Sequence, residues 1–299
     1  MLNQIIVKMM PIVPKGIIHQ VAKKYIAGDE LSDAVRVSKE LLSNGGAMTT
    51  VDVLGEFVTT KERAMHEKEE SSKVLDAIKE NNLKTYLSVK PTSLGLAVDE
   101  DFAFENISNI IKKAAENNIF VRLDMENSPY TTKTLNLYKK LRAEGLNNVG
   151  VVIQAYLFRS ETDIKDLMQY KPSIRLCKGI YRESPEIAFQ TKEDVRNNYK
   201  KLLRLIIDNG LYIGIATHDE PLINDAREYL KKVNLKKEDY EFQMLLGVRD
   251  EKRKEILAQG HRLRVYVPFG KDWYGYSTRR LKENPKMAGM IFKAIFFKN

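Results

Sequence analysis

The stretch Val149–Lys178, "VGVVIQAYLFRSETDIKDLMQYKPSIRLCK", holds the smallest unit from which a fold can be read. It opens with a β-branched run and passes into a polar segment whose apolar residues, Ile164, Leu167 and Met168, recur at helical spacing. After Pro172 a second short apolar run, "SIRLCK", closes it. Strand, helix, strand within 30 residues is the pattern of two parallel strands joined by a crossover helix.

The unit repeats in both directions. Upstream lie the strand candidates "MTTVDVLG", "TYLSVK" and "IFVRLDM", and downstream "YIGIAT", "EFQML" and "LRVYVP", eight in all. Helix-like stretches fall between them at about 61–82, 103–118, 131–145, 160–170, 193–209, 221–233 and 249–259, with another from about 273. A doubly wound open sheet gives the same alternation, but eight strand–helix pairs in roughly 250 residues match a closed (βα)8 TIM barrel. Ahead of it, Pro14–Ala27 and Leu31–Leu42 read as two helices, the second stopped by "SNGG". With no Ser/Pro linker or low-complexity tract, residues 1–299 read as one domain: 1–45 as helices packing on the barrel, 46–299 as barrel and C-terminal helix.

Composition narrows the chemistry. The 49 Lys and Arg against 40 Asp and Glu give a net charge of +9, dispersed along the chain without a polybasic block, which argues against nucleic acid as partner. One cysteine, Cys177, excludes an internal disulfide and fits a reducing, cytoplasmic setting; it reads as a core residue. The N-terminal "MLNQIIVKMMPIVPKGII" is interrupted by lysine and proline and reads as neither signal peptide nor spanning helix. His19, His66, His218 and His261 lack metal-ligand spacing, so no metal is expected. No G-x-S-x-G elbow, G-x-G-x-x-G fingerprint or P-loop is present.

In such a barrel the active site lies at the C-terminal strand ends, and those ends are polar here. In chain order they offer Lys90, Asp124 with Glu126, Gln154, Arg175 with Lys178, Thr217 with His218 and Asp219, Gln243, and Tyr266. Together with Arg279 and Arg280 after the last strand, they make a cationic mouth suited to an anionic substrate or a phosphate-bearing cofactor. Two other chemistries fit such a mouth: a Schiff-base aldolase using Lys178 or Lys90, and a non-catalytic anion-binding module.

At these residues the sequence resembles the flavin-dependent proline dehydrogenases, particularly the short bacterial enzymes. The motifs "LSVKPTSLGL", "VRLDMEN", "VGVVIQAY", "IRLCKGIYRE", "IATHD", "FQMLLGVR", "RVYVPFG" and "YGYSTRRLKENP" follow in family order. The resemblance implies a distorted (βα)8 barrel with a helix after strand eight, holding FAD at the strand ends. It implies oxidation of L-proline to Δ1-pyrroline-5-carboxylate by hydride transfer to flavin N5, with electrons passed to a membrane quinone. On this likeness Lys90, Arg279 and Arg280 take the substrate carboxylate, Asp124 orients Lys90 or meets the substrate amine, and Tyr266, Tyr276 and Leu245 wall the pocket. Gln154, Arg175, Lys178, Gly179, Tyr181, Thr217, His218, Gln243 and Glu283 match the family's cofactor contacts, with Arg175 near N5.

Glu193 stands where the family often places a hydroxyl residue for the cofactor's distal part, so the adenine-side contacts stay unassigned. The length leaves no room for a fused aldehyde dehydrogenase, and a separate pyrroline-5-carboxylate dehydrogenase is expected as downstream partner. Trp273 reads as a cap of the last helix or a residue of the pocket entrance. The terminal "MAGMIFKAIFFKN" suits either a face docked on the barrel or peripheral membrane contact.

Overall fold

A computed structural model of the chain describes residues 23–55 and 57–276. After the helix α1 (Leu31–Ser43), strands and helices alternate. They run β1 (Met48–Val53), α2 (Lys61–Glu80), β2 (Thr85–Val89), α3 (Glu100–Glu116), β3 (Val121–Leu123), α4 (Ser128–Ala143), β4 (Val149–Gln154), α5 (Ser160–Leu167), β5 (Ile174–Cys177), α6 (Lys192–Asp208), β6 (Ile213–Ala216), α7 (Glu220–Lys232), β7 (Tyr240–Leu245), α8 (Asp250–Ala258) and β8 (Leu263–Phe269). All neighbouring pairs are parallel, and β8 pairs back onto β1 to close an eight-stranded barrel in sequence order. The barrel expectation is met, strand for strand.

Strand register sorts the barrel residues into two faces, because successive side chains point to opposite sides of a strand. One set, including Val51, Leu87, Val121, Val151, Ile215, Phe242 and Val265, is buried beneath the surrounding helices and belongs to a single apolar core. The other set is aligned across the sheet through the pairs Asp52↔Ser88, Ser88↔Arg122, Arg122↔Gly150, Arg175↔Gly214, Gly214↔Glu241 and Gln243↔Arg264. It lines the interior, where branched aliphatic side chains usually pack. Here buried charges fill that space, and small residues make room for them: a Cβ at Gly150 would overlap the Arg122 guanidinium, and one at Gly214 the Gln243 amide.

The helices begin and end where local chemistry says they should. Thr60, Asp99 and Thr191 accept hydrogen bonds from backbone N–H groups of the first turns of α2, α3 and α6. Asn82, Asn118 and Asn234, each with φ near +50°, reverse the chain just after α2, α3 and α7. At the end of α1, Gly46 N–H bonds to Leu42 O at 2.8 Å, as the "SNGG" stop predicts.

The expected first helix, Pro14–Ala27, lies largely outside the described residues, and its described end is not helical. Lys23–Ala27 is a turn leading to extended chain, because Ala27 N–H bonds to Pro268 O at 2.8 Å instead of to a residue four earlier. This segment lies along the end of β8. The helix expected after β8 begins at Trp273–Tyr276, tethered to α2 through Asp272 and Arg63 at 2.6 Å. No helix among the described residues is long and apolar enough to cross a membrane.

Candidate active site

The strand order delivers side chains from β1, β2, β3, β5, β7 and β8 to one buried cluster at the C-terminal end of the barrel. Its centre is Asp124, just beyond β3. Oδ1 accepts from Arg175 Nη1 at 2.6 Å and from Ser88 Oγ at 2.8 Å, and Oδ2 accepts from the Tyr266 hydroxyl at 2.7 Å. Arg175 is held on a second edge, where its Nε donates to Gln243 Oε1 at 2.6 Å, and its guanidinium lies over the Tyr266 ring, 5.3 Å from the centroid. A guanidinium anchored through Nε and one Nη is fixed in plane and in tilt. Its Nη2 donates to no protein group among the described residues.

Lys90 is clamped by Asp52, whose two oxygens accept from its Nζ at 2.6 and 2.7 Å. Asp52 is fully enclosed: burial, together with the neighbouring Asp124 charge, pushes its carboxyl up to about 6 in spite of Lys90. Burial and the Asp124 carboxylate hold the Tyr266 phenol well above its ordinary value, so it serves as a donor. Below the mouth, Gln243 Nε2 donates to Glu241 Oε1 at 2.6 Å, and Arg264 Nε donates to the same oxygen at 2.7 Å. Burial alone would raise the Glu241 carboxyl, but Arg264 keeps it below the ordinary glutamate value.

On the β5–β6 side, Lys178 Nζ meets Asp219 Oδ2 at 3.1 Å, and Arg196 from α6 grips the same carboxylate, with Nη2 at 2.8 Å from Oδ1. Gly179 follows at φ +102°, its backbone pressed so closely on the Tyr156 ring that a Cβ would overlap it. The loop continues through half-buried Tyr181 to Glu183, which accepts from Ser128 N–H at 2.7 Å and Oγ at 2.6 Å and so caps α4. Gln154 is buried and donates to Glu126 O at 2.9 Å; Thr217 Oγ1 accepts from Asp219 N–H at 3.1 Å. His218 Nε2 accepts from Leu245 N–H at 2.9 Å, which ties the ends of β6 and β7 and leaves the ring proton on Nδ1.

Thus the residues singled out from sequence fall into a tightly bonded group, Asp124, Arg175, Gln243 and Tyr266, with Lys90 alongside, and a second group around Lys178. Tyr276 is buried at the start of the last helix. Arg279, Arg280 and Glu283 lie outside the described residues, as does the C-terminal apolar stretch. Glu126 serves the scaffold: it is buried, and accepts from Thr92 N–H at 2.9 Å and Thr92 Oγ1 at 2.5 Å. Burial pushes the Cys177 thiol up to about 11, in keeping with an inert core cysteine. Lys90 and Lys178 each bond a carboxylate, whereas attack on a carbonyl needs a free amine lone pair, which weakens the aldolase alternative.

Sequence reading missed Asp52, Ser88, Glu241 and Arg264. Ser88, Glu241 and Arg264 stand two positions before Lys90, Gln243 and Tyr266, but the alternation of one strand does not say which face is interior, and Asp52 has no such strand-end partner.

A closed parallel barrel with buried, hydrogen-bonded charged side chains at its C-terminal strand ends has the architecture of a (βα)8 enzyme. Residues 35–291 match the family described as proline dehydrogenase. Proline dehydrogenase 2 of Bacillus subtilis strain 168 is 40% identical over 92% of this chain and 90% of its own length. Proline dehydrogenase of Deinococcus radiodurans is 35% identical over 92% and 89%. Among solved structures, proline utilization A (PutA) from Bdellovibrio bacteriovorus, inactivated by N-propargylglycine, superposes with a TM-score of 0.83 at 25% identity. That alignment covers 89% of this chain but 33% of PutA, so the chain spans about a third of that protein. The chain belongs to the proline dehydrogenase family. It is an oxidoreductase acting on proline, at the first step of proline catabolism.

Proposed function

We propose that the oxidation runs with FAD bound at the mouth, held by Gln154, Arg175, Lys178, Gly179, Tyr181, Thr217, His218, Gln243 and Glu283. The observation that carries this reading is Arg175, buried and fixed by Asp124 and Gln243, with Nη2 donating to no group among the described residues. The donor set fits: guanidinium, ammonium and amide groups suit an oxygen-rich, phosphate-bearing cofactor. When bound, FAD supplies the acceptor for the hydride that leaves the proline ring.

The protein's own task is orientation. Hydride transfer needs little acid–base machinery and depends on holding the donor carbon at one distance and angle. Lys90, Arg279 and Arg280 clamp the proline carboxylate; Asp52 holds the Lys90 ammonium in place for that contact. Asp124 presents its charge toward the substrate amine, while Tyr266, Tyr276 and Leu245 enclose the ring and keep water out. Arg175 favours negative charge as it develops at the acceptor. Electrons pass onward to a quinone, and the cyclic imine product passes to a separate pyrroline-5-carboxylate dehydrogenase. The enzyme works in the cytoplasm, and its C-terminal apolar sequence suits either docking on the barrel or peripheral contact at the inner membrane face.

The clamp is tested by Arg279→Met and Arg280→Met. A charge-assisted contact is worth roughly 1.5–3 kcal/mol, so each variant raises the KM for proline at least about tenfold while FAD, released by denaturation and identified by mass, remains stoichiometric. Unchanged KM in both variants overturns the assignment.

A further inference from the structure

Glu241 lies on β7 two residues before Gln243, deeper in the barrel than the mouth, and is fully buried. The Gln243 amide has a donor end and an acceptor end. Its donor, Nε2, is taken by Glu241 Oε1 at 2.6 Å, which leaves the acceptor, Oε1, facing Arg175 Nε at 2.6 Å. Turned the other way, the amide would set N–H against N–H at Arg175 and carbonyl against carboxylate at Glu241. The anion at position 241 therefore dictates the sense of the amide. Arg264 keeps that anion charged: its Nε donates to Glu241 at 2.7 Å, its Nη1 to Thr49 O at 2.7 Å, and its guanidinium stacks on the Tyr86 ring at 3.4 Å.

We propose that Glu241 is a positioning residue for proline oxidation, acting through Gln243 to lock the Arg175 guanidinium against Asp124. The inference rests on the reading of Arg175 as the cation that faces the cofactor. Glu241 has no hydrogen bond to Lys90, Asp124 or Tyr266, so its removal acts on the rate more than on proline binding.

The test removes the buried ion pair as a unit, Glu241→Leu with Arg264→Leu, so that no lone charge is left in the interior. Against it stands Glu241→Gln, whose carbonyl still accepts from Gln243 and Arg264 although the buried Arg264 loses its counter-ion, so that its melting temperature falls while the hydrogen-bond chain stays. Two readouts are taken on the purified protein as isolated: steady-state kinetics with proline, and hydrogen exchange at the Arg175 Nε–H by nitrogen-15 NMR. In the double variant kcat falls at least about tenfold, proline KM stays within about twofold, and Arg175 Nε–H exchange accelerates about tenfold or more, the scale of one lost charge-assisted hydrogen bond. Glu241→Gln keeps slow exchange and most of kcat. Should the double variant not fold, Gln243→Leu, which leaves the Glu241–Arg264 pair intact, replaces it with the same expectations. Unchanged exchange or unchanged kcat in the folded variant overturns the proposal. The exchange readout needs no turnover, so it stands or falls apart from the cofactor reading.

Discussion

Tyr266 gives Asp124 one of its three side-chain hydrogen bonds, while Ser88 and Arg175 supply the other two. Tyr266→Phe leaves the ring beneath Arg175 and removes one neutral-to-charged bond of about 1.5 kcal/mol, so kcat/KM for proline falls about tenfold with the fold intact. Steady-state kinetics and a melting curve check both halves. Asp52 carries a pH signature instead. Its carboxyl, raised to about 6 by burial, binds a proton more readily in the folded than in the unfolded chain. Its contribution to stability is therefore fully present below the unfolded value and is lost as pH rises through 6. Stability therefore falls as pH rises from 5 to 7.5. Denaturant titrations of wild type and Asp52→Asn across this range would differ in slope; parallel curves would contradict the assignment. Asp52 also marks where sequence reading stopped short. The last residues of the strands offer Lys90, Asp124, Arg175, Gln243 and Tyr266. Asp52 lies inside a run that reads as ordinary β-rich core.

At the scale of elements, the link between β5 and α6 does the most with the fewest residues. Lys178 and Gly179 sit at the mouth, Glu183 reaches across to cap α4, and Arg196 returns from α6 to Asp219. Gly179 is the tight point, with a positive φ and the Tyr156 ring where a Cβ would go. Gly179→Ala meets both penalties and costs at least about 2 kcal/mol, measurable as a lower denaturation midpoint together with weaker cofactor retention. Wild-type stability in this variant would mean that the turn is softer than its geometry implies. The glycine was legible from its motif, but its clash with Tyr156 was not, since 23 positions separate the two. The described end of the expected first helix went the other way. Apolar spacing predicted helix to Ala27, and a tertiary hydrogen bond to Pro268 extended the chain instead.

Over the whole molecule, eight strands and their order were readable because each is a short run rich in β-branched, aliphatic or aromatic residues set between longer stretches of helical apolar spacing. The polar interior was not readable. A charged residue alternating with apolar ones in a strand looks like a solvent face, and only barrel closure turns Arg122, Glu241 and Arg264 inward. Those interior charges form a chain of hydrogen bonds from Arg264 through Glu241, Gln243 and Arg175 to Asp124, so the site is braced from below as well as from its rim. The central claim, that this mouth holds FAD and presents proline to it, is tested most directly by an anaerobic spectral titration of the purified protein with L-proline. The account predicts a yellow protein whose flavin band near the visible blue bleaches stoichiometrically as proline is added. A protein that binds no FAD, or a bound flavin that stays oxidised in saturating proline, would contradict it.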